Sequence, residues 1–254
     1  MLYVRSLIFN ILFYANLFVV MLTGLPFLFG NRNNGLETGR LWGRSSLWLL
    51  KNVCGITLEY RGLENVPAGA CIVASKHQSI LETFAIIPHM SDFTFVVKEQ
   101  LKYLPIFGLY MIYTDQIAIN RKAGSSAMTQ VVQGTRKAFG EGRKLMIFPE
   151  GTRKAVGAPP DYKFGVAQVY ASNNVRCVPV ALNAGLFWPR RSFLRRPGNL
   201  VIEFLPPIEP GLDRKVFLKL LQDKIETATN KLVNEAVAAD PKLAELVYRP
   251  GDKA

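Results

Sequence analysis

The chain has 254 residues, of which 49% are hydrophobic and 20% are charged, which excludes a disordered chain and one made only of membrane spans. Lys and Arg total 31 against 19 Asp and Glu, so the expected partners are anionic: nucleic acid, phosphorylated small molecules or an anionic lipid surface. The three cysteines have no Cys-x-x-Cys spacing and an odd number, so we interpret Cys54, Cys71 and Cys177 as buried apolar side chains in a reducing compartment.

The first predicted element is a long apolar helix. No charged residue occurs at positions 6–29, and at about 1.5 Å per residue this segment is long enough to cross a hydrocarbon core of roughly 30 Å. A cleaved signal peptide is disfavoured because no small-x-small cleavage site follows the apolar run. Asn10, Asn16 and Pro26 leave both a full span and an interfacial or re-entrant helix open.

A second helix is predicted after a polar turn. Asn and Gly are frequent at positions 31–39, which indicates a turn. Positions 41–53 mix Trp and Leu with Arg44 and Lys51. That mixture is typical of a helix at a membrane interface, and equally of an amphipathic helix on a domain surface. We predict a helical hairpin anchor at positions 1–54, followed by a second domain at positions 55–254.

From Ile56 onward, short apolar runs alternate with helical patterns. The predicted strands are 56–61, 70–75, 93–98, 116–120, 144–149, 176–182 and 200–205. The predicted helices are 79–87, 125–140, 164–172 and 213–239, the last with Asp213 as its cap. This alternation predicts an α/β domain with a largely parallel or mixed sheet flanked by helices.

Polar clusters follow four of the predicted strands, at positions 75–78, 120–122, 149–153 and 182–185. Ligand sites in open α/β sheets gather at the carboxyl ends of the strands. We therefore expect these four clusters to converge on one site.

His77 follows a strand, and Glu82 follows His77 by five residues at the start of the next predicted helix. If His77 lies in the loop, the carboxylate can hydrogen-bond one imidazole nitrogen and leave the other facing a pocket, as a general base requires. Taken alone, a structural histidine remains the alternative. His89 has no such acidic partner, and we interpret it as a surface residue.

The sequence Phe-Pro-Glu-Gly-Thr-Arg at positions 148–153 carries an acid and a base three residues apart on a turn. Gly151 lets the backbone approach a ligand, and Arg153 offers a forked donor for phosphate. Glu150 is expected to accept a hydrogen bond from a substrate hydroxyl, and a turn with a local ion pair is the alternative interpretation.

These motifs resemble those of the glycerolipid acyltransferase family, which includes 1-acylglycerol-3-phosphate acyltransferases. The segment 77–82 resembles the family's His-x4-Asp, and 148–153 matches its Phe-Pro-Glu-Gly-Thr-Arg at every position. Three further segments are similar to family blocks: 98–108, 117–121 and 178–180. The resemblance extends over positions 56–205.

The resemblance implies transfer of a fatty acyl group from acyl-CoA or acyl carrier protein to the sn-2 hydroxyl of lysophosphatidic acid, giving phosphatidic acid. It implies that His77 is the general base and that Glu82 orients it, with no covalent acyl-enzyme. Its further implied substrate-binding residues are Lys98, Arg121 and Arg153 for the acceptor phosphate, and Glu150, Gly151 and Thr152 for the rest of the acceptor. Neither a metal ion nor a resident cofactor is expected.

Two residues depart from the family pattern, because Glu82 replaces the usual Asp and Asn120 stands where an acid is common. Another lyso-lipid acceptor, such as a lyso-aminolipid or lysocardiolipin, and a non-catalytic lipid-binding protein therefore remain alternatives. No zinc-finger or RRM pattern occurs, so no nucleic-acid partner is expected. The absence of a P-loop pattern disfavours a P-loop nucleotide enzyme, and the absence of Gly-x-Ser-x-Gly disfavours a serine hydrolase. The expected location is a membrane, in bacteria the inner one, with the catalytic domain facing the cytoplasm where the donors are made.

The arginine-rich segment at positions 188–196 mixes Trp188 and Phe193 with four arginines. It is predicted to press onto anionic headgroups, with a solvated loop as the alternative.

Overall fold

The protein begins with a helical hairpin in the computed structural model, which describes residues 1–120 and 125–248. Helix α1 covers Leu2–Leu28 and helix α2 covers Arg32–Leu49, and a π-helical turn, Leu50–Cys54, follows α2. Gly55 ends this segment with a φ of 71°, in the left-handed region that favours glycine. The predicted pair of helices at the amino terminus is therefore present.

The bounds of the second helix were predicted wrongly, because most of the expected turn at positions 31–39 is helical. The side chain of Asn31 accepts a hydrogen bond from the backbone N–H of Asn33 and caps α2 at its first turn. A Cβ on Gly35 would lie 2.5 Å from Thr114 and 2.8 Å from Leu28. Gly35 thus permits close packing of α2, and tertiary contact outweighs its low helix propensity.

A domain of seven strands and six helices follows the hairpin in the described part of the chain. The strands are β1 (Ile56–Arg61), β2 (Cys71–Ser75), β3 (Phe93–Lys98), β4 (Ile117–Ile119), β5 (Lys144–Ile147), β6 (Cys177–Leu182) and β7 (Gly198–Phe204). The helices are α3 (Leu81–Ala85), α4 (Phe107–Tyr113), α5 (Ser125–Gly140), α6 (Gly165–Asn173), α7 (Ala184–Phe187) and α8 (Arg214–Ala239).

The strands form one sheet in the order β1-β7-β6-β2-β5-β3-β4. Only the β6–β7 pair is antiparallel among the described strands, so β6, β2, β5, β3 and β4 all point the same way. Their carboxyl ends share one edge of the sheet. This mixed α/β sheet confirms the predicted fold class. Three of the four polar clusters lie at that edge. Positions 121–122 of the fourth cluster lie outside the described residues.

Helices cover both faces of the sheet, and every residue of β2 is accordingly buried. Cys71 and Val73 pack into a core shared with α1, α2 and α3, whereas Ile72 and Ala74 pack into a core shared with α5, α6 and α8. Phe9 and Phe13 of α1 belong to the first core. The hairpin therefore packs directly against the α/β domain.

One side of α1 remains open. Phe13 is 3% exposed, whereas Ile11 and Phe18 are 60% and 59% exposed. By length and composition, α1 is the one helix among the described residues that is long and apolar enough to cross a membrane. Helix α2 does not meet that criterion; it is buried on one side against the domain, where the Nε of Arg40 donates to the carbonyl of Met90.

Candidate active site

His77 lies in the loop between β2 and α3, at the carboxyl edge of the sheet. Its Nδ1 is 2.8 Å from Oε1 of Glu82, in the first turn of α3. The same oxygen accepts hydrogen bonds from the backbone N–H groups of Gln78 and Ser79, each at 2.8 Å. Because this oxygen acts as an acceptor, Nδ1 carries the hydrogen and Nε2 is left with a free lone pair.

The Glu82 side chain is fully buried, whereas the His77 side chain is 15% exposed. The longer carboxylate thus reaches the ring although the family pattern has Asp here. The second oxygen of Glu82 has no hydrogen-bond partner among the described residues. Removing the carboxylate would leave two backbone donors and the ring without their common acceptor.

The ring of His77 stacks on Phe148, with ring centroids 4.0 Å apart and an interplanar angle of 17°. Both residues line a cavity of about 340 Å³, whose remaining lining residues are Val96, Ile119, Ala127, Met128, Val131, Ile147, Pro149, Gly151, Lys163, Gly165 and Val166. Most of that lining is apolar. The cavity, called here the apolar cavity, places a partly exposed imidazole beside a surface suited to an aliphatic chain.

Glu150 takes a different position from the one expected. It is fully buried, with Oε1 at 2.9 Å from Nζ of Lys76 and Oε2 accepting from the backbone N–H of His77 at 3.1 Å. Both oxygens are thus engaged inside the protein, and the expected contact with a substrate hydroxyl is wrong for this arrangement. Burial raises the pKa of Glu150, and Lys76 opposes that rise.

Lys76 joins Glu150 to a wider buried network. Its Nζ also lies 2.7 Å from Oε1 of Glu226 on α8, which accepts a hydrogen bond from the hydroxyl of Tyr162 at 2.9 Å. Lys76 is 2% exposed, so the two carboxylates, rather than water, are the partners of its ammonium group. The backbone N–H of His77 is therefore connected to α8 through Glu150, Lys76 and Glu226.

The loop after β5 also holds the other backbone group of His77. The carbonyl of His77 accepts from the N–H of Lys154 at 2.8 Å, while Glu150 accepts from its N–H. The loop that begins with the motif at 148–153 therefore binds both backbone groups of His77, through Glu150 and through Lys154. Its acid positions the histidine loop, which the sequence pattern alone did not indicate.

The remaining predicted residues that the structure describes lie around this edge. Lys98 is exposed at the end of β3, Gly151 has a φ of 64° and lines the apolar cavity, and Thr152 is exposed. Arg153 is half-buried, and its carbonyl accepts a hydrogen bond from Arg190. Arg121 lies outside the described residues.

Sequence reasoning missed Lys76, Tyr162 and Glu226. A lysine at the end of an apolar strand was a signal for a buried ion pair, since an unpaired charge is rarely buried there. Glu226 carries no local signal, because it lies far along the chain in the middle of α8 and meets Lys76 only in the folded protein.

The arginine-rich segment also differs in part from its prediction. Trp188 and Arg195 are buried, with the guanidinium of Arg195 stacked over the Trp188 ring at 4.0 Å. Arg195 also donates to Asn10 of α1 at 2.8 Å. These two residues join α1 to the domain, and only the more exposed residues of the segment remain available to an anionic partner.

Several known proteins are similar to this chain in sequence or in fold. The chain is 34% identical over 165 residues to the 1-acyl-sn-glycerol-3-phosphate acyltransferase of Pseudomonas aeruginosa, which covers 65% of this chain and 64% of that protein. It is 27% identical over 193 residues to the protein of the same name from Cocos nucifera, which covers 75% of this chain and 61% of that protein. The chain thus spans less than two thirds of the length of these curated relatives.

The fold is similar to a solved structure, the 1-acyl-sn-glycerophosphate (LPA) acyltransferase PlsC from Thermotoga maritima, with a TM-score of 0.76 at 21% identity. That likeness covers 91% of this chain and 98% of the other. The family model named Acyltransferase matches residues 57–183, which is half of the 254-residue chain and contains both His77 and the motif at 148–153. The chain belongs to the acyltransferase family.

Proposed function

We propose that this protein transfers a fatty acyl group from a thioester donor, acyl-CoA or acyl carrier protein, to the free hydroxyl of lysophosphatidic acid, giving phosphatidic acid. The observation that carries the proposal is the hydrogen bond between His77 and Glu82 beside an apolar cavity. The names of the relatives from Pseudomonas aeruginosa and Cocos nucifera support the choice of reaction and acceptor.

In the proposed mechanism, Nε2 of His77 takes the proton of the acceptor hydroxyl as its oxygen attacks the thioester carbonyl. Glu82 keeps the hydrogen on Nδ1 and stabilises the imidazolium that forms. The tetrahedral intermediate then collapses to the new ester and a thiolate, which recovers a proton from the imidazolium. Proton transfer and positioning carry the reaction, so it proceeds without a metal or a resident cofactor.

The acceptor phosphate is assigned to cations at the edge of the sheet that carries His77. Lys98 is exposed at the end of β3, and Arg153 follows β5. Arg121, after β4, is proposed as the third of these cations. Charge-assisted hydrogen bonds from such side chains would orient the glycerol so that its free hydroxyl meets Nε2 of His77.

We also propose that the open side of α1 holds the protein in a membrane, with the site on the cytoplasmic side where the donors are made. The exposed apolar side chains Ile11 and Phe18 support the attachment to a membrane. The buried side of the same helix packs on the domain, so the site is held close to the lipid surface from which the acceptor comes.

The acceptor is tested with a panel of lipids and purified full-length protein in detergent micelles, using labelled acyl-CoA and, separately, labelled acyl carrier protein. Lysophosphatidic acid is expected to be acylated, and monoacylglycerol, which lacks the phosphate, is expected to be acylated at least about 100-fold more slowly. Equal rates with both acceptors would contradict a site that recognises the acceptor phosphate. Transfer only to a different lyso-lipid would keep the reaction and overturn the acceptor.

A further inference from the structure

A second cavity, of about 230 Å³, lies on the β6 side of His77 and is called here the basic cavity. It is lined by residues that follow β2, β5 and β6, namely Gln78, Lys154 and Arg190 with Arg191. The apolar cavity lies on the other side, where it is lined from β3, β4 and β5. None of the described residues lining the basic cavity is acidic.

Gln78 lines this cavity and carries an amide donor without a hydrogen-bond partner among the described residues. The residue is fully buried, and its Oε1 accepts a hydrogen bond from the backbone N–H of Gly185 at 3.0 Å. Its Nε2 has no hydrogen-bond partner in the described part of the chain. Buried polar groups are nearly always paired, so this amide of a cavity-lining residue is available to pair with an oxygen atom of a ligand.

The cations of the basic cavity have donors to spare. Arg190 uses one guanidinium N–H on the carbonyl of Arg153 at 2.7 Å, which leaves others of its five for a ligand. Nζ of Lys154 is 3.7 Å from the carboxylate of Asp161, too far for a hydrogen bond. Arg191 is exposed at the rim. The cavity is thus lined by three cations and one residue with an amide donor, and no acidic residue is among its described lining. Donors of this kind bind a phosphate group.

We infer that the basic cavity is a phosphate-binding site, separate from the cations assigned to the acceptor. The identity of the molecule that carries this phosphate rests on the proposed function. The acceptor phosphate is assigned to the β3 side of His77, so the β6 side is assigned to the other phosphorylated reactant. That reactant is the acyl donor, whose pantetheine arm ends in a phosphate in both CoA and acyl carrier protein. A phospholipid headgroup offers the same chemistry, and the test separates the two.

The test compares the double variant Lys154→Gln/Arg191→Gln with the wild type, both as full-length protein in detergent micelles. These substitutions remove two cations and leave the hydrogen bond between Arg190 and Arg153 in place. Binding of free CoA, measured by calorimetry, is expected to weaken about tenfold or more. The control, Lys219→Gln/Lys231→Gln, removes two exposed cations of α8 and is expected to change CoA binding less than about twofold.

A second variant, Gln78→Glu, keeps an acceptor for the Gly185 N–H and replaces the free donor with a negative oxygen. It is expected to weaken CoA binding at least as much as the double variant, because the new charge repels a bound phosphate. Thermal unfolding of each variant shows whether the fold is retained.

The outcomes separate the sources of the phosphate. Weaker CoA binding with unchanged binding to phosphatidylglycerol vesicles assigns the site to the donor. Unchanged CoA binding with weaker vesicle binding assigns the phosphate site to lipid headgroups and overturns the donor. If neither CoA nor vesicle binding changes in either variant, the phosphate site itself is wrong. CoA binding requires no turnover, so this result stands apart from whether lysophosphatidic acid is acylated.

Discussion

His77 is held at three points: its ring nitrogen by Glu82, its N–H by Glu150 and its carbonyl by the N–H of Lys154. Such fixation suits a general base, since its efficiency depends on placing one nitrogen at a defined distance from the hydroxyl it deprotonates. The sequence predicted the first of these contacts from a spacing of five residues. It could not predict the other two, because a motif shows which residues occur but not which of them face inward.

The role of Glu82 is tested by Glu82→Gln. The amide oxygen can still accept from the backbone of Gln78 and Ser79, so the loop is expected to stay folded. Loss of the charge removes the stabilisation of the imidazolium, and kcat is expected to fall about 10³–10⁴-fold. Glu82→Asp, which keeps the charge on a shorter side chain, is expected to retain more activity than the amide. Wild-type kcat in the Gln variant would contradict an orienting role.

Lys76 is predicted to matter for stability through its two carboxylate partners. Lys76→Met leaves Glu150 buried without its cation, which is expected to cost about 3–5 kcal/mol in the free energy of unfolding. Lys219→Met, which removes an exposed lysine, is the matched control and is expected to change it by less than about 0.5 kcal/mol. Denaturant unfolding followed by circular dichroism measures both, and equal stability of the two variants would show that the buried network is dispensable.

Among the elements, α2 shows how tertiary packing overrides a local pattern. Its polar, Gly-rich start looks like a turn in sequence, yet the helix meets α1 and α4 at Gly35 and α3 at Gly43. The strands were predicted more closely, and β1 and β3 have the predicted bounds, because apolar runs of this length carry their own signal. The cap of α8 was also predicted correctly, with the Asp213 side chain accepting from the N–H of Lys215.

The packing of α2 on α3 predicts a difference between two glycines. A Cβ at Gly43 would lie 2.7 Å from the carbonyl oxygen of Phe84, on the helix that carries Glu82, so Gly43→Ala is expected to destabilise the protein by about 1–3 kcal/mol. The nearest atom to a Cβ at Gly39 is 3.8 Å away, and Gly39→Ala is expected to stabilise by up to about 1 kcal/mol. Thermal unfolding compares them, and the same shift in both would rule out close packing at Gly43.

For the molecule as a whole, α1 has two different faces, one packed in the core of the domain and one exposed. Phe9 and Phe13 pack with Trp188 and Phe84 inside the domain, while Ile11 and Phe18 remain exposed. The composition of α1 predicted a membrane helix, but it could not show that one side of this helix, with Phe9 and Phe13, completes the core of the α/β domain. That fact depends on which residues of the distant segment 184–196 reach back to α1.

Two sets of variants test the exposed and the buried face of α1 separately. Ile11→Asp/Phe18→Asp is expected to weaken sedimentation with phosphatidylglycerol vesicles at least about tenfold while leaving the melting temperature nearly unchanged, because each charge opposes insertion into lipid. Phe13→Ala is expected to cost about 3–5 kcal/mol of stability instead. Thr227→Asp/Asn230→Asp on the exposed side of α8 is the control for added charge. Undiminished vesicle binding by the first variant would contradict membrane attachment through α1.

The central claim is acyl transfer to lysophosphatidic acid with His77 as the base, and one assay tests it directly. Purified full-length wild type and His77→Ala are compared in detergent micelles with labelled acyl-CoA and lysophosphatidic acid, after thermal unfolding has shown that both are folded. Wild type is expected to form labelled phosphatidic acid, and the variant to be slower by about 10²–10⁴-fold. Wild-type rates of phosphatidic acid formation by folded His77→Ala would contradict the account.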